Sequence, residues 1–269
     1  MSDSAPPSGP GTDRAPELAH ALVAGEFFLV YQPMFDLNSG AFSGVEALMR
    51  WRHPERGVLA PAEFIGELES SGVIAAVGRW ALATACHQGA EWHARGYRLT
   101  VSVNVSSLQL HAADFVDDVA IAVAASHLPP PALILEIAGS DANDPKVAAR
   151  LRQLSELGVR IAVDDFDPET SSVESLVEGP VSIIKLDRRV IARLGAQPEF
   201  AREIHTLVTR ASDLRVRVIA AGVEDADQRR ILQVEHVSAG QGFLFSAPHE
   251  AREIDDYLKG FAIFTGEPL

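Results

Sequence analysis

The stretch V-R-I-A-V-D-D-F, residues 159–166, decides how the rest of the chain is read. It is a short run of β-branched and aliphatic residues that stops at two adjacent carboxylates, Asp164 and Asp165. Gly158 precedes it, where a helix C-cap would fall. Such a run reads as a buried parallel strand. Two acids at the mouth of a buried strand are costly unless a cation neutralises them. A divalent metal is the simplest such cation, because carboxylate oxygens are its natural ligands. The alternative is a helix N-cap followed by a solvated acid.

The same rhythm repeats on either side of that strand. Apolar strand patterns fall at 98–105, 132–137, 181–187 and 215–224, with a last short one inside 238–248. Helical spacing separates them at 112–126, 145–157, 199–213 and 226–233, and a closing helix is expected at 250–259. A short helix is also expected near 173–177, after the loop 167–172. Ahead of this region come a helix at 17–25, a hairpin of strands 27–32 and 41–52, and a helical run from Pro61 to residue 95, broken near 70–72. Alternating strands and helices make a parallel sheet, and their number suits a closed β/α barrel of the (β/α)8, TIM-like kind. A doubly wound open sheet is the alternative, though no G-x-G-x-x-G or Walker A sequence supports it. Residues 1–14, rich in Pro, Gly and Ser, read as a disordered tail or linker, 15–262 as one domain and 263–269 as a C-terminal tail.

Composition narrows the function. The chain of 269 residues has 23 Lys and Arg against 37 Asp and Glu, a net charge of −14. That argues against a general nucleic-acid or anionic-membrane surface. An anionic ligand then needs a metal or a placed arginine. The single cysteine, Cys86, excludes an internal disulfide and fits a cytoplasmic location. No apolar run is long enough for a membrane span.

Chemistry in a β/α barrel gathers at the carboxyl ends of the strands. Those ends carry Asn104, Glu136, Asp164, Asp165, Lys185 and Glu224. Glu46 joins them from the second hairpin strand, taken as the antiparallel one, where Glu46, Leu48 and Arg50 share a face. If that strand is an edge, Glu46 and Arg50 read equally as a surface pair. Oxygen-only donors favour Mg²⁺ or Mn²⁺ over zinc. Lys185 among acids stays protonated and can orient a water or phosphate oxygen; its alternative is an ion pair with Asp164 or Asp187. Metal, arginine and acids together are the equipment of phosphodiester hydrolysis.

The chain resembles the EAL-domain family of cyclic di-GMP phosphodiesterases. The resemblance rests on Y-Q-P at 31–33, E-A-L-M-R-W at 46–51, R-H-P-E-R-G at 52–57, P-A-E-F-I at 61–65 and N-V-S at 104–106. It continues through L-E-I at 135–137, D-D-F at 164–166, K-L-D at 185–187, G-V-E at 222–224 and Q-G-F-L-F-S-A-P at 241–248. It implies a modified β/α barrel with an antiparallel strand near the start. It implies metal ligation by Glu46, Asn104, Glu136, Asp164 and Asp165, and catalysis involving Lys185 with Asp165 and Glu224. It implies cyclic di-GMP contacts from Gln32, Leu48, Arg50, Asp187, Gln241 and Pro248. A homodimer formed through the helix after the Asp-Asp loop is also implied, and a protein partner or additional domain stays open.

The departures bear on activity. The family's A-E-G-V-E is A-A-G-V-E here, so Ala221 replaces a glutamate. L-E-I-T-E-S becomes L-E-I-A-G-S, so Gly139 replaces a glutamate that steadies the loop after the Asp pair. That loop, D-D-F-G-T-G-Y-S-S in the family, is D-D-F-D-P-E-T-S-S. Asp167 and Glu169 are candidate substitute carboxylates. The resulting expectation is a degenerate domain that binds cyclic di-GMP as a receptor or regulatory module, with weak or no hydrolysis. An active phosphodiesterase yielding pGpG and a ligand-independent protein-interaction module are the alternatives.

Overall fold

Among the described residues nine strands form one sheet, and eight of them close on themselves. The structure, a computed structural model, describes residues 14–173, 179–196 and 200–260. The strands in chain order are β1 (Phe27–Asp36), β2 (Phe42–His53), β3 (Gly57–Leu59), β4 (Thr100–Asn104), β5 (Leu133–Ala138), β6 (Arg160–Phe166), β7 (Ile183–Leu186), β8 (Arg217–Ala221) and β9 (Ala239–Gln241). Their lateral order is β1-β9-β8-β7-β6-β5-β4-β2-β3, and the β1–β2 pairing closes the ring, leaving β3 as an outer extension of β2. The fold is an α/β barrel. β1 runs antiparallel to both of its neighbours, whereas β2 is parallel to β4. Glu46 therefore does not lie on the antiparallel strand: the hairpin reverses β1, not β2. Nor is β2 an edge at that point, since Glu46 lies opposite Gln32 on one side and Ser102 on the other.

Strand alternation sorts the side chains into two sets. Val101, Val103, Leu133, Leu135, Ile161, Val163, Ile184 and Val218 face outward and join the main core. The helices are α1 (Ala15–Val23), α2 (Ile65–Ser70), α3 (Ile74–Ala94), α4 (Ser107–His111), α5 (Phe115–Ser126), α6 (Gly139–Ala142), α7 (Pro145–Glu156), α8 (Arg188–Ala196), α9 (Ala201–Asp213), α10 (Ala226–Val234) and α11 (Ala251–Gly260); α1 and α2 pack into a second cluster with Phe27, Trp51 and Phe64, and the others cover the barrel. They contribute Ala85, Val119, Leu151, Ile204 and Leu232 among others. The inward set forms a small plug of Ile134, Ala162, Ile183, Ile219 and Ala239. Two residues further along each strand, on the same inner face, stand Glu136, Asp164, Lys185, Ala221 and Gln241. The apolar plug is thus the floor of a polar layer.

Local chemistry sets the helix ends. Pro145 opens α7, and the Asp144 side chain accepts from the Lys146 amide at 2.8 Å. α11 is fastened to α3 through Asp255, which accepts from Trp92 Nε1 at 2.8 Å and from Arg95 at 2.6 Å. Cys86 is fully buried on α3, and burial pushes its thiol up to about 12. α4, α6 and β3 are too short to show a period in the sequence, and α8 follows β7 without a break. The helix expected near 173–177, the one tied to dimerisation, falls largely on residues 174–178, outside the described residues.

Gly44 sits on β2 between Met34 of β1 and Thr100 of β4. A Cβ there would lie 2.2 Å from Thr100 Oγ1 and 2.9 Å from the Thr100 carbonyl oxygen. The hydroxyl can rotate away, but the carbonyl belongs to the barrel wall. Gly44→Ala should lower the urea midpoint by an amount equivalent to about 1–3 kcal/mol, with no change in slope.

Candidate functional site

The inner polar layer is centred on Lys185. Its ammonium, 2% exposed, donates to Glu46 Oε2 at 3.1 Å and to Glu136 Oε2, and lies 3.4 Å from Asp164 Oδ1. Glu46 is held from the other side by Asn104, which donates to Oε1 at 2.8 Å, and by Gln241, which donates to Oε2 at 2.5 Å. Five strands thus contribute to one network, together with β9 through Gln241. Glu46, Asn104, Glu136, Asp164 and Lys185, all picked from sequence, converge here.

The electrostatics follow from crowding. Burial alone would strip the Lys185 proton, but Glu136, Glu46 and Asp164 outweigh it and hold the ammonium well above its ordinary range. Burial likewise disfavours the Glu46 carboxylate, yet the Lys185 charge and the Gln241 and Asn104 hydrogen bonds keep it below the usual value. Glu136 is pushed well above, first by burial and then by the Glu46 charge. Its Oε1 is buried with no hydrogen-bond partner, as is Gln241 Oε1. One ammonium is insufficient for three acids.

Asp165 departs from the network. Two consecutive strand residues cannot both face inward. A bulge between Val163 and Phe166 and a left-handed φ of 51° at Asp165 leave its side chain exposed at the end of β6, still within reach of the charges of Asp164, Asp187 and Lys185. Partial desolvation, with the charges of Asp164 and Asp187, holds its carboxyl above the ordinary range. Asp187 is buried, and Arg189 occupies both its oxygens: the guanidinium Nε lies 3.0 Å from each, and the Arg189 amide donates to Oδ1 at 2.6 Å. Arg189 holds the Asp187 carboxyl below its ordinary value. Glu224 is exposed beyond β8, its amide bonded to Gln228 at 2.7 Å, and its carboxylate has no bond to the Lys185 network.

The remaining ligand candidates line the rim. Leu48, half-buried, lines a largely apolar cavity of about 370 Å³ with Glu46, Asn104, Ile65, Ile74 and Gln109. Gln32 donates to the Ser246 carbonyl at 3.3 Å. Pro248 is half-buried in the same segment, beside His249, whose backbone bridges to Tyr31. Arg50 is half-buried and donates to the Met49 carbonyl at 2.7 Å rather than to Glu46. Burial draws its pKa down against the opposing pull of Glu46. Gln241, read as a ligand contact, is 5% exposed and spends its amide on Glu46.

The altered positions have definite places. Ala221 ends β8 opposite Gln241, in the polar layer, and contributes only a methyl group. Gly139 opens α6, where a Cβ would meet Val163 Cγ1 at 3.6 Å, so a side chain has room. Asp167 and Glu169, the candidate substitute carboxylates, are both held by Arg193 of α8. Sequence reasoning missed Arg189 and Arg193. Their signal was present in V-I-x-x-L at 190–194, an apolar stripe following an Asp cap, with the two arginines one turn apart.

A hard cation is consistent with the donor chemistry. The layer offers carboxylate and amide oxygens only, and the orphaned Glu136 Oε1 marks an unsatisfied acceptor. Among the described residues no three Asp, Glu, His or Cys side chains surround a common point at ligating distance, since Lys185 stands between them. Among those residues, too, no helix is long and apolar enough to cross a membrane.

The EAL domain family model matches residues 15–248. This chain belongs to the EAL domain family. The EAL domain described here is 35% identical over 237 residues to the cyclic di-GMP phosphodiesterase PA2567 of Pseudomonas aeruginosa, covering 87% of this chain and 40% of that protein. It is 32% identical over 243 residues to the signaling protein YkoW of Bacillus subtilis, covering 90% and 30%. The chain thus spans less than half the length of these curated relatives. Among solved structures, the PaMucR phosphodiesterase in its c-di-GMP complex superposes with a TM-score of 0.81 at 34% identity, over 88% of this chain and 98% of that one. The FimX EAL domain of Pseudomonas aeruginosa, 23% identical over 88% of this chain and 97% of that one, shares the fold with a TM-score of 0.79.

Lys185→Met leaves the acids of the layer without their counter-ion. It should destabilise the domain by about 3–5 kcal/mol at neutral pH. Without the ammonium, the folded acids bind protons more tightly than the unfolded ones, so the deficit should grow as pH rises above about 4.3 and shrink below it. Adding Glu136→Gln should recover part of the loss. Urea unfolding of both variants between pH 4 and 8 checks this.

Proposed function

We propose that this EAL domain binds cyclic di-GMP as a receptor or regulatory module and hydrolyses it weakly or not at all. The observation that carries the reading is the polar layer itself: strand after strand places an oxygen or nitrogen there, and β8 places the methyl group of Ala221. Binding equipment is retained around it. Arg50 has a planar fork suited to a phosphate, which a lysine cannot copy. Leu48 and the apolar cavity beside it offer a face for a base. Gln32 stands on β1 beside the strand of Leu48 and Arg50, and donates to the Ser246 carbonyl, two residues before Pro248.

Hydrolysis asks more of the same residues. Mg²⁺ or Mn²⁺, held by Glu46, Asn104, Glu136 and Asp164 with Asp165 at its edge, would supply an activated water when bound. Lys185 remains charged, so it steers acids and phosphate oxygens and takes up no proton from water. Glu224 is too exposed, and Asp187 too fully engaged by Arg189, to stand in at position 221. A missing proton acceptor or ligand of this kind costs on the order of 10²–10⁴ in rate.

A second reading, an active phosphodiesterase producing pGpG, is favoured by the unpartnered Glu136 Oε1, which leaves a donor for a metal. Calorimetry and a chromatographic product assay separate the two. Wild type should bind cyclic di-GMP, and Arg50→Ala should weaken that binding at least tenfold. Incubation with Mg²⁺ or Mn²⁺ should yield no pGpG from wild type, and Ala221→Glu should gain turnover. Absence of binding at high micromolar ligand sinks the receptor; wild-type turnover lost in Lys185→Ala establishes the enzyme instead.

A further inference from the structure

We infer that Arg193 is a positioning residue: it clasps the loop after the Asp164–Asp165 pair and performs the steadying task for which Gly139 has no side chain. The Arg193 guanidinium donates from Nη2 to Asp167 Oδ1 at 3.1 Å and Oδ2 at 3.0 Å, and from Nη1 to Glu169 Oε2. Its flat face lies 4.3 Å from the Phe200 ring centroid, and Phe200 is 2% exposed. One arginine thus joins the loop to α8 by its edge and to Phe200 by its face. The Arg193–Asp167 half of the clasp is part-buried, at 27% and 26% exposure, whereas Glu169 is exposed and open to screening by salt.

The loop is built to be held in this way. Asp167 accepts the Glu169 amide on Oδ1 at 3.0 Å, and its carbonyl accepts the Thr170 and Ser171 amides at 3.1 and 2.9 Å. Pro168 fixes one backbone torsion between them. Asp167 is therefore both the hub of the turn and the grip for Arg193. On its other side Phe166 is 2% exposed, lies opposite Leu186 on β7, and accepts the Asp187 amide at 3.1 Å. The left-handed Asp165 sits between this anchor and the inward Asp164, 3.4 Å from Lys185. Such a backbone persists only where its surroundings impose it. Arg193 touches neither Asp164 nor Asp165, and acts on them through Asp167 and Phe166.

The substitutions in D-P-E are thus coupled to α8 and are more than losses. Gly139 approaches the Asp pair from the other side, where its Cβ would lie beside Val163, the residue before Asp164. The clasp itself is independent of any ligand; its consequence for metal rests on the reading of the Asp pair given above.

The test uses the full chain. Amide hydrogen exchange across 164–173 should rise about tenfold or more in Arg193→Met, with the Glu169, Thr170 and Ser171 amides leading and β4 and β5 unchanged. Arg193→Lys should restore part of the protection, 1 M NaCl should weaken it in wild type, and Gly139→Glu should restore protection in the Arg193→Met background. Titration with Mn²⁺ alone should show several-fold weaker binding in Arg193→Met than in wild type. Unchanged loop exchange in Arg193→Met overturns the clasp. Raised exchange with unchanged Mn²⁺ affinity overturns the positioning role. If wild type binds no Mn²⁺, the earlier reading of the Asp pair fails, and loop exchange alone decides the clasp.

Discussion

A single buried ammonium shared among carboxylates is the constraint on which the rest of the structure depends. Lys185 could not remain charged at 2% exposure without Glu46, Glu136 and Asp164, and those acids could not gather without it. Asn104 and Gln241 then orient Glu46. Because six strands of the barrel each deliver one of these groups, the network also fixes the relative heights of β2, β4, β5, β6, β7 and β9. Ion network and barrel register are one property seen from two directions.

The same coupling explains the selective character of the departures from the family pattern. Ala221 removes a polar group from the layer without leaving a stranded charge, so the fold loses little. Gly139 and the D-P-E segment alter the approach to the Asp pair, and α8 answers with arginines one turn apart. Arg189 takes Asp187, and Arg193 takes Asp167 and Glu169. An acidic chain has acquired local cations where its acids are densest.

The barrel was legible in the sequence because strand alternation and chain rhythm are local properties. VRIAVDDF declared a buried strand with acids at its mouth, and Asn104, Glu136 and Lys185 were marked by the same position on their own strands. What was not legible depends on partners distant in sequence. Glu46 was placed on the wrong strand of the hairpin, since a hairpin alone does not say which arm joins the parallel set. Asp165 was grouped with Asp164, and only the bulge separates them. The hydrogen bond from the Gln241 amide to a glutamate 195 residues away has no local sign in the sequence. The roles of Arg189 and Arg193 are not legible locally, because Asp187 precedes α8 and the acidic partners of Arg193 lie in a distant loop.

The reversal of β1 has an effect on where the chain enters the fold. In a barrel of uniformly parallel strands the first strand rises from the floor. Here β1 begins beside Trp51, near the carboxyl end of β2, and descends. α1 therefore packs at the open end, with Leu18 and Ala21 against Trp51, Phe64 and Leu68. Arg14 meets Glu67 of α2 at 2.7 Å, and α2 supplies Ile65 and Glu69 to the cavity beside Leu48. A push or pull on Arg14 reaches the cavity wall across one helix, without crossing the barrel, so the doorway of the chain and the doorway of the cavity share a frame.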